Sequence, residues 1–434
     1  MKIDGLTTGH STIDDDSLIP YLLTFQRQYF SLYPPYILTF PDPLLLASPL
    51  GQDFLLRHIL GENVEADGPD LDQPVQGERW MKLYQPEKTY QIKVWKKIMV
   101  SLEAGIKSVE LLDNSEWIII CSEQVINDRF YDHMIALMVS SNPIALDNGP
   151  QTSYRTFLYD MPDAAFRGTF GHDKPQNDAR ITLLEEQIAI QGGTTGLRTW
   201  TAALHLGHHI LHHFSTIFAL PRDPNRGFIE LGAGTGFVSI LLAQMGFEVV
   251  ATDLGSPANQ IGEQSEDGTS VITPLGRLQS NIKLNQYDVK PQSLHLNWYD
   301  ARRPCDTDPS LAPWSKIQEL HWDIVAADVI YDPDLVRPLV DSIDVLLGNH
   351  DGPEKLNAVI SATIRNQETF DLFLETCDKH SLRVDILNLP TMPAQAPTFW
   401  DSALDAGTRV LIMRITKEPI ASQGDIISRL SYDS

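Results

Sequence analysis

Residues 227–253 read GFIELGAGTGFVSILLAQMGFEVVATD, and this stretch decides the fold. An apolar run at residues 228–231 gives way to a loop with the spacing G-x-G-x-G at residues 232–236. Apolar residues at helical spacing follow, and a second strand-like run ends in Asp253, 21 residues after the first loop glycine. The order of strand, glycine loop, helix, strand and acid predicts the first β-α-β unit of a nucleotide-binding α/β sheet.

Three details of this unit favour S-adenosylmethionine over a dinucleotide. Glu230 precedes the loop, where its carboxylate would repel a pyrophosphate but suits a cationic sulfonium with an amino group. The loop lacks G-x-G-x-x-G spacing, and more than 200 residues precede it, whereas dinucleotide folds often begin near the N-terminus. Asp253, at the tip of the second strand, can accept both ribose hydroxyls. NAD binding and a β-α-β unit without a ligand are the alternatives.

The composition and charge of the chain limit the class of partner. The chain has 434 residues, with 33 Lys and Arg against 57 Asp and Glu, which gives a formal net charge of −24. A surface this acidic repels nucleic acid over long range and attracts basic peptides or proteins. We therefore expect a protein partner and no nucleic acid.

Cysteine usage and hydropathy predict a cytoplasmic protein. Cys121, Cys305 and Cys377 are odd in number and widely separated, which argues against a disulfide framework or a structural zinc site. The polar, acidic N-terminus resembles neither a signal peptide nor a basic transit peptide. No apolar run approaches the ~20 residues of a membrane span, so we expect no membrane partner.

The N-terminal part of the chain has a helical pattern. Residues 1–140 contain amphipathic stretches at residues 18–32, 90–105 and 124–139, and each stretch predicts a helix. Residues 141–179 are rich in Pro, Asn, Asp and Gly, and this composition predicts a linker. The helical region carries no catalytic pattern, so we expect it to serve substrate recognition or structural support.

Strands and helices alternate over residues 180–417, before a tail at residues 418–434. About seven strands follow from Phe228 onward, and the last two are joined without a clear helix. We therefore predict a Rossmann-like α/β domain with a seven-stranded sheet, mostly parallel with an antiparallel last strand, preceded by the helical region.

The carboxyl ends of parallel strands form the ligand-binding rim of such a sheet. Glu230, Asp253, Trp298 and Asp328 each lie at or just past a predicted strand end. Asp253 suits a ribose ligand, and Trp298 offers a flat face to an adenine. The ordinary alternatives at these two positions are a turn acid and a core aromatic residue.

A second informative segment, residues 326–333, reads AADVIYDP. Its small alanines, Ala327 among them, allow a ligand ring to lie against the strand. Asp328 and Tyr331 then project into the loop that faces a transferable methyl group, where they can orient an acceptor amine. The alternative is a polar turn before a helix that starts at Pro333.

Methyl transfer to lysine needs a neutral amine at the moment of attack. With a reference pKa near 10.4, neutralising lysine at pH 7 costs roughly 4–5 kcal/mol. Carboxylate, phenol and carbonyl oxygens can orient the amine, and a desolvated channel beside a sulfonium lowers its pKa. Such a site requires no dedicated strong base.

Five histidines fall within nine residues of one predicted helix: His205, His208, His209, His212 and His213. Pairs four residues apart could hold a metal ion, but the segment has neither an H-E-x-x-H arrangement nor a third ligand nearby. We interpret the segment as an ordinary helix surface with adventitious metal affinity, and we predict no metal site.

Together these residues resemble the seven-β-strand protein-lysine methyltransferases often called methyltransferase family 16. The resemblance spans residues 181–415. It rests on GTTGLRTW at residues 193–200, ELGAGTG at residues 230–236, Asp253, NWYD at residues 297–300 and ADVIYDP at residues 327–333.

The resemblance implies a cofactor, S-adenosylmethionine, and a set of site residues. In that family the cofactor is contacted by the positions that match Trp200, Gly232, Ala233, Gly234, Asp253, Trp298 and Ala327. Residues 328–331 match the stretch that borders the lysine channel, which makes Asp328 and Tyr331 the candidate catalytic residues.

Within the family, the chain is most similar to the branch that methylates a lysine of translation elongation factor 2. IAIQGGTTGLRTW at residues 188–200, ATIRNQETF at residues 362–370 and the helical N-terminal region carry this finer resemblance. The inserts at residues 255–270 and 301–315 exceed the family pattern, and Gln367 stands where proline is expected.

We therefore expect a cytoplasmic, S-adenosylmethionine-dependent protein-lysine N-methyltransferase that acts on elongation factor 2. The nearest alternative is the same chemistry on another protein, such as elongation factor 1A or a chaperone. An NAD(P)-dependent oxidoreductase and a non-catalytic scaffold that retains the fold are the alternatives from other classes.

Overall fold

The computed structural model describes residues 15–62, 79–111, 125–139, 152–161, 179–186, 196–218, 225–255, 273–287, 289–303, 311–348, 355–401 and 409–417. The chain divides into two compact units. The first comprises Met1–Pro69, Gln76–Gly149 and Ser153–Phe157, and the second comprises Asp70–Val75, Pro150–Thr152 and Leu158–Ser434.

The described part of the first unit is mainly helical. Its elements are α1 (Asp15–Phe30), α2 (Pro43–Ala47), α3 (Pro49–Phe54), a π-helical turn (Leu55–Ile59), α4 (Arg79–Leu83), α5 (Lys88–Leu111) and α6 (Asp128–Val139). The three helices that amphipathic patterns predict are confirmed as α1, α5 and α6.

Aromatic packing holds this helical unit together. Tyr29 is fully buried, and its ring lies 5.1 Å from the ring of Phe30 and 5.8 Å from that of Tyr90, measured between centroids. Gly105 lets α5 approach α2, because a Cβ at this position would lie 2.1 Å from the carbonyl oxygen of Pro43. The helices of this unit therefore form a core of their own.

A strand lies inside the segment that composition predicted as a linker, residues 141–179. This strand, β1 (Thr152–Tyr159), buries Phe157 and Tyr159 to 1% exposure. The linker prediction is wrong for these eight residues. Their sequence, TSYRTFLY, is dominated by β-branched and aromatic residues that favour a strand, and the Pro- and Gly-rich flanks concealed this preference.

The second unit is built on a sheet of seven strands. After β2 (Ala179–Glu186), the sheet strands are β3 (Phe228–Leu231), β4 (Val249–Asp253), β5 (Gln292–His295), β6 (Asp323–Ala327), β7 (Ala358–Thr363), β8 (Leu382–Ile386) and β9 (Val410–Lys417). Their order is β5-β4-β3-β6-β7-β9-β8, parallel except that β9 runs antiparallel to both β7 and β8. This confirms the predicted seven-stranded, mostly parallel sheet.

The helices of the second unit alternate with these strands. They are α7 (Thr201–Ile217), α8 (Phe237–Gln244), α9 (Pro274–Leu284), α10 (Ala312–Gln318), α11 (Pro333–Leu347) and α12 (Gln367–Lys379). The central strands β3, β6 and β7 are buried almost throughout, as expected for parallel strands covered on both faces. Among the described residues, no helix is long and apolar enough to cross a membrane.

The remaining parts of the predicted domain plan lie outside the described residues. These are the turn at residues 192–195, the insert at residues 256–270 and the tail at residues 418–434. The second insert is described in part, and α10 begins within it and buries Trp314.

Two buried asparagines, Asn281 in α9 and Asn285 just after it, pair with the backbone of β2. Oδ1 of Asn281 accepts from the N–H of Leu184 at 2.8 Å, and its amide donates to the carbonyl oxygen of Thr235 at 2.9 Å. Asn285 pairs with both backbone groups of Thr182, each at 2.8 Å. These side chains take the place of a neighbouring strand for β2.

We expect Asn281→Ala to lower the free energy of unfolding by about 1–3 kcal/mol, because it leaves buried backbone groups without partners. Urea unfolding measures this, with Lys283→Ala, an exposed change on the same helix, as the control. Equal midpoints for the two variants would show that Asn281 contributes no more than a surface residue.

Candidate active site

A cavity of about 460 Å³ opens at the carboxyl ends of β3, β4 and β6. The chain runs from β3 outward to β4 and β5, and then returns to place β6 on the other side of β3. The cavity therefore lies where the strand order reverses, which is where open α/β sheets bind ligands. Its volume lies within the roughly 300–1,000 Å³ of small-molecule sites.

The cavity brings together all the site residues that the sequence predicts. It is lined by Trp200, Gly232, Ala233, Gly234, Asp253, Trp298, Ala327, Asp328 and Tyr331. Because they come from five separated parts of the chain, only a folded parallel sheet could place them around one space. Their individual roles stay predictions.

The glycine loop between β3 and α8 has a backbone that glycine adopts at low cost. Gly232, Gly234 and Gly236 have φ angles of +67°, +54° and +87°. A Cβ on Gly232 would lie 3.0 Å from Cγ1 of Val329 and 3.3 Å from Cζ2 of Trp298. The loop thus presents bare backbone to the cavity, in a space that a side chain would fill.

Asp253 ends β4, and two backbone N–H groups hold its carboxylate. The N–H of Gly234 donates to Oδ2 at 2.6 Å, and the N–H of Leu254 donates to Oδ1 at 2.7 Å. Burial raises the pKa of this carboxyl to about 6, although the two hydrogen bonds favour the charged form and lower it. Above about pH 6 the carboxylate form predominates, with lone pairs left for hydroxyl donors.

Glu230 lies near the end of β3 and is 2% exposed. The N–H of Ser239 donates to its Oε2 at 2.9 Å, and the Ser239 hydroxyl bonds to the same oxygen. Burial raises the pKa of this carboxyl to about 8, the hydrogen bonds from Ser239 lower it, and the nearby charge of Asp253 raises it. A cation in the cavity would favour the carboxylate, whereas a pyrophosphate would oppose it.

Asp328 follows β6 with a left-handed backbone, φ +59°, and its side chain pairs with Arg365. Nη1 of Arg365 donates to Oδ1 at 3.0 Å, and Nη2 donates to Oδ2 at 2.7 Å. Oδ1 also accepts from the N–H of Thr363 at 3.1 Å. The guanidinium lies over the ring of Trp200, 5.0 Å from its centroid. Asp328 thereby joins the turn after β6 to the end of β7 and the start of α7.

Aromatic side chains form the outer part of the cavity wall. Trp298 begins a 3-10 turn, Trp298–Asp300, after β5, and Asn297 caps this turn by accepting from the N–H of Tyr299 at 3.2 Å. Tyr299 is 61% exposed and Tyr331 is 45% exposed. Both phenol rings line the cavity and are open to a large partner.

Sequence reasoning missed two features of this wall. Arg365 lies in the ATIRNQETF segment, but nothing in that pattern indicates that it pairs with a residue 37 positions earlier. The hydroxyls of Thr199 and Thr235 lie 2.6 Å apart and connect the segment before α7 to the glycine loop. The signal for Arg365 was its place just after β7, at the rim where strand ends meet.

The histidine-rich helix is not the ordinary surface that the sequence predicted. In α7, His208 is 6% exposed and His209 is 4% exposed, whereas His212 is exposed. The surface interpretation is therefore wrong for two of the five histidines, because α7 packs against the sheet on most of its circumference.

The cavity fits S-adenosylmethionine by the chemistry of its walls. Two carboxyl groups, the buried Glu230 and the half-buried Asp253, have raised pKa values that a bound sulfonium or ammonium would lower. The bare glycine backbone and the face of Trp298 leave room for a flat heterocycle with its ribose. The cavity is thus suited to a cationic nucleoside and not to a dinucleotide.

Comparisons with known proteins agree with this fit. Residues 176–379 match the family described as lysine methyltransferase, methyltransferase family 16. Protein-lysine N-methyltransferase EFM3 of Chaetomium thermophilum is 26% identical over 387 residues, 87% of this chain and 92% of that protein. EFM3 of Saccharomyces cerevisiae is 28% identical, over 64% of this chain and 74% of that protein. Protein-lysine N-methyltransferase EEF2KMT of Bos taurus is 28% identical, over 46% of this chain and 56% of that protein.

The oxidoreductase alternative has no support in these matches, and the family match covers the glycine loop, Asp253, Trp298 and residues 326–333. The matched region, residues 176–379, is a lysine methyltransferase domain of family 16, and the chain is a protein-lysine methyltransferase that uses S-adenosylmethionine.

Proposed function

We propose that this protein methylates a lysine of translation elongation factor 2. Similarity to the bovine methyltransferase, whose name EEF2KMT contains that factor, supports this substrate. The nine predicted site residues line one cavity, and this observation supports the proposed methyl transfer. We place the reaction in the cytoplasm, in keeping with the buried free thiol of Cys377.

In this proposal the inner wall of the cavity holds the cofactor. Asp253 accepts from the ribose hydroxyls, Trp298 lies against the adenine, and the glycine loop brings backbone close to the ligand. Trp200 and Ala327 complete the wall on the side of β6. When bound, S-adenosylmethionine supplies a methyl group on a positively charged sulfur.

The outer wall of the cavity receives the substrate lysine. The substrate lysine, after losing one proton to water, would present the lone pair of its Nζ to the methyl group that S-adenosylmethionine supplies. The phenol oxygen of Tyr331 orients the amine. Asp328 acts through the turn that it holds, because Arg365 and Thr363 engage its carboxylate.

The substrate assignment is tested on elongation factor 2 purified from cells that lack this gene. We expect the protein to add methyl groups to one lysine of that factor and not to elongation factor 1A or a chaperone, as read by peptide mass spectrometry. Methylation of one of these other proteins instead would overturn the substrate while leaving the chemistry in place. Cofactor binding without transfer to any protein in the lysate would favour a scaffold.

We expect Asp253→Ala to weaken the binding of S-adenosylhomocysteine by roughly 1.5–3 kcal/mol, since a charge-assisted contact to the ribose is lost. Titration calorimetry measures the change, with Asp371→Ala, an exposed change on α12, as the control. An unchanged affinity in a folded Asp253→Ala protein would remove this residue from the cofactor site.

We expect Tyr331→Phe to lower the rate of methyl transfer on the order of tenfold, because the amine loses an acceptor that orients it. Binding of S-adenosylhomocysteine stays near that of the parent, since the phenol oxygen contacts the substrate and not the cofactor. Single-turnover rates measure the effect, and Tyr299→Phe, at a neighbouring exposed phenol, is the matched control. Equal rates for all three proteins would place the amine elsewhere.

A further inference from the structure

Three of the histidines in α7 form a compact nitrogen cluster away from the cofactor cavity. One ring nitrogen from each of His208, His209 and His213 lies within 4.8 Å of the others. The residues are at positions i, i+1 and i+5, which on a regular helix point roughly 100° and 140° away from the first. His209 and His213, which are four residues apart, share one face of a regular helix, whereas His208 lies on a different face.

The helix is kinked within the cluster. His213 has non-helical backbone angles, φ −135° and ψ 27°, inside the span of α7. This irregular residue places its ring 5.5 Å from the ring of His209 and 6.1 Å from that of His208, measured between centroids. The spacing of histidines along the sequence indicates the pair His209 and His213 but not the approach of His208 to that pair.

The hydrogen bonds of the cluster leave nitrogen atoms open. Nδ1 of His209 is buried and has no hydrogen-bond partner. Nδ1 of His208 lies 2.7 Å from Oγ1 of Thr398, and Nε2 of His212 lies 3.2 Å from the same oxygen. Thr398 thus holds the ring of His208 through Nδ1, as outer partners do for metal-bound histidines.

Burial opposes protonation of two rings of the cluster, those of His208 and His209. Burial and the surrounding histidines lower the pKa of His208 to about 3 and that of His209 to about 4. Other ionisable groups near the helix include His205, His212, Asp160, Asp401 and Arg414, of which the two acids favour protonation of the neighbouring histidines. Neutral imidazoles carry the lone pairs that bind metal ions.

We propose that His208, His209 and His213 bind a divalent transition-metal ion, for which Zn²⁺ is the best match. Imidazole nitrogens suit Zn²⁺, Ni²⁺ and Cu²⁺, and zinc accepts three protein ligands with a fourth position filled by water. Zinc–nitrogen bonds of about 2.0–2.1 Å need the three nitrogens closer together than they now lie, and in this proposal the half-buried ring of His213 moves toward the other two. The exposed ring of His212, 4.7 Å from that of His208, is the available fourth ligand.

The ion has a structural role in this proposal. Ala203 of α7 lines the cofactor cavity, and the three histidines follow it by five to ten residues. At 1.5 Å per residue the ion lies roughly 8–15 Å along the helix from that wall, too far to touch the reacting atoms. It fixes the kinked end of α7, together with the segment around Thr398 that His208 already contacts.

The test uses the full-length protein without a polyhistidine tag, dialysed against a chelator. Calorimetric titration with Zn²⁺ is expected to show one site, and the melting temperature is expected to rise with added Zn²⁺ because the ion binds the folded state. Co²⁺, as a coloured substitute, is expected to give the visible absorption of four-coordinate nitrogen ligation.

Variants decide whether the cluster is the site. His209→Gln and His213→Gln are expected to weaken Zn²⁺ binding by more than the roughly 10–100-fold typical of losing an outer partner. His205→Gln, on the same helix outside the cluster, is expected to bind as the parent does. His213 is less buried than His209. If His209→Gln fails to fold, the His213→Gln protein therefore still tests the site. Equal, weak binding by the parent and all variants would show scattered surface affinity only and would overturn the proposal.

Discussion

The Asp328→Asn protein is expected to bind S-adenosylhomocysteine nearly as tightly as the parent and to transfer methyl groups roughly a hundredfold more slowly. The carboxylate of Asp328 holds Arg365 through two hydrogen bonds and accepts from Thr363, so it fixes the turn that borders the substrate amine. A misplacement of about 1 Å at a reacting centre costs on the order of a hundredfold in rate. An interaction of this kind lowers turnover and spares cofactor affinity.

Asparagine is the suitable replacement because it keeps the shape of the side chain and tolerates the left-handed backbone of this position. The matched comparison is Arg365→Lys, which keeps the positive charge but cannot form the two-point pair while lying flat over Trp200. If Asp328 acts through Arg365, both variants lose turnover while cofactor binding is preserved. A parental rate for Asp328→Asn would show that the segment is only a turn before α11.

The placement of the cofactor cavity could be predicted because strand ends are a local signal. Each of Asp253, Ala327 and Asp328 follows an apolar run that reads as a strand, and parallel strands bring their carboxyl ends to one edge. The glycine loop was equally readable, since three left-handed φ angles in five residues require glycine. For these residues, the neighbouring sequence and the chemical type of the side chain were enough to predict where they lie.

The rest of the site depends on contacts that no local pattern encodes. Arg365 contacts Asp328 because β6 and β7 are neighbours in the sheet, and it also lies over Trp200 just before α7. Its role therefore follows from the order of strands in the sheet. In the histidine cluster, helical spacing pairs His209 with His213, but the approach of His208 to this pair follows from no spacing along the helix. Strand β1 depends on the burial of Phe157 and Tyr159, which outweighs the composition of its flanks.

The ligand-free protein is expected to lose stability as the pH rises from about 5 to about 9, and Glu230→Gln is expected to remove much of that loss. The pKa of the Glu230 carboxyl is raised from 4.5 to about 8 by burial, so the folded state keeps a proton that the unfolded state releases. Stability from this group is fully present below pH 4.5 and is lost as the pH rises through 8. A shift of this size corresponds to on the order of 3–5 kcal/mol, and the neutral glutamine does not titrate.

Urea unfolding at a series of pH values measures the slope in both proteins, with the exposed Glu248→Gln as the control. Asp253 contributes a slope of the same sign up to about pH 6 and is present in all three, so the difference between proteins isolates Glu230. Identical slopes for Glu230→Gln and the parent would show that Glu230 is already ionised at neutral pH.

The same carboxyl connects stability to cofactor binding. A cation in the cavity favours the ionised form of Glu230, so S-adenosylmethionine binding at pH 7 is expected to release a proton. Calorimetry in buffers of different ionisation enthalpy detects this release in the parent, and Glu230→Gln is expected to abolish most of it. S-adenosylhomocysteine lacks the sulfonium charge, so it should release less. An equal release by both ligands would mean that the sulfonium lies too far from Glu230 to be sensed.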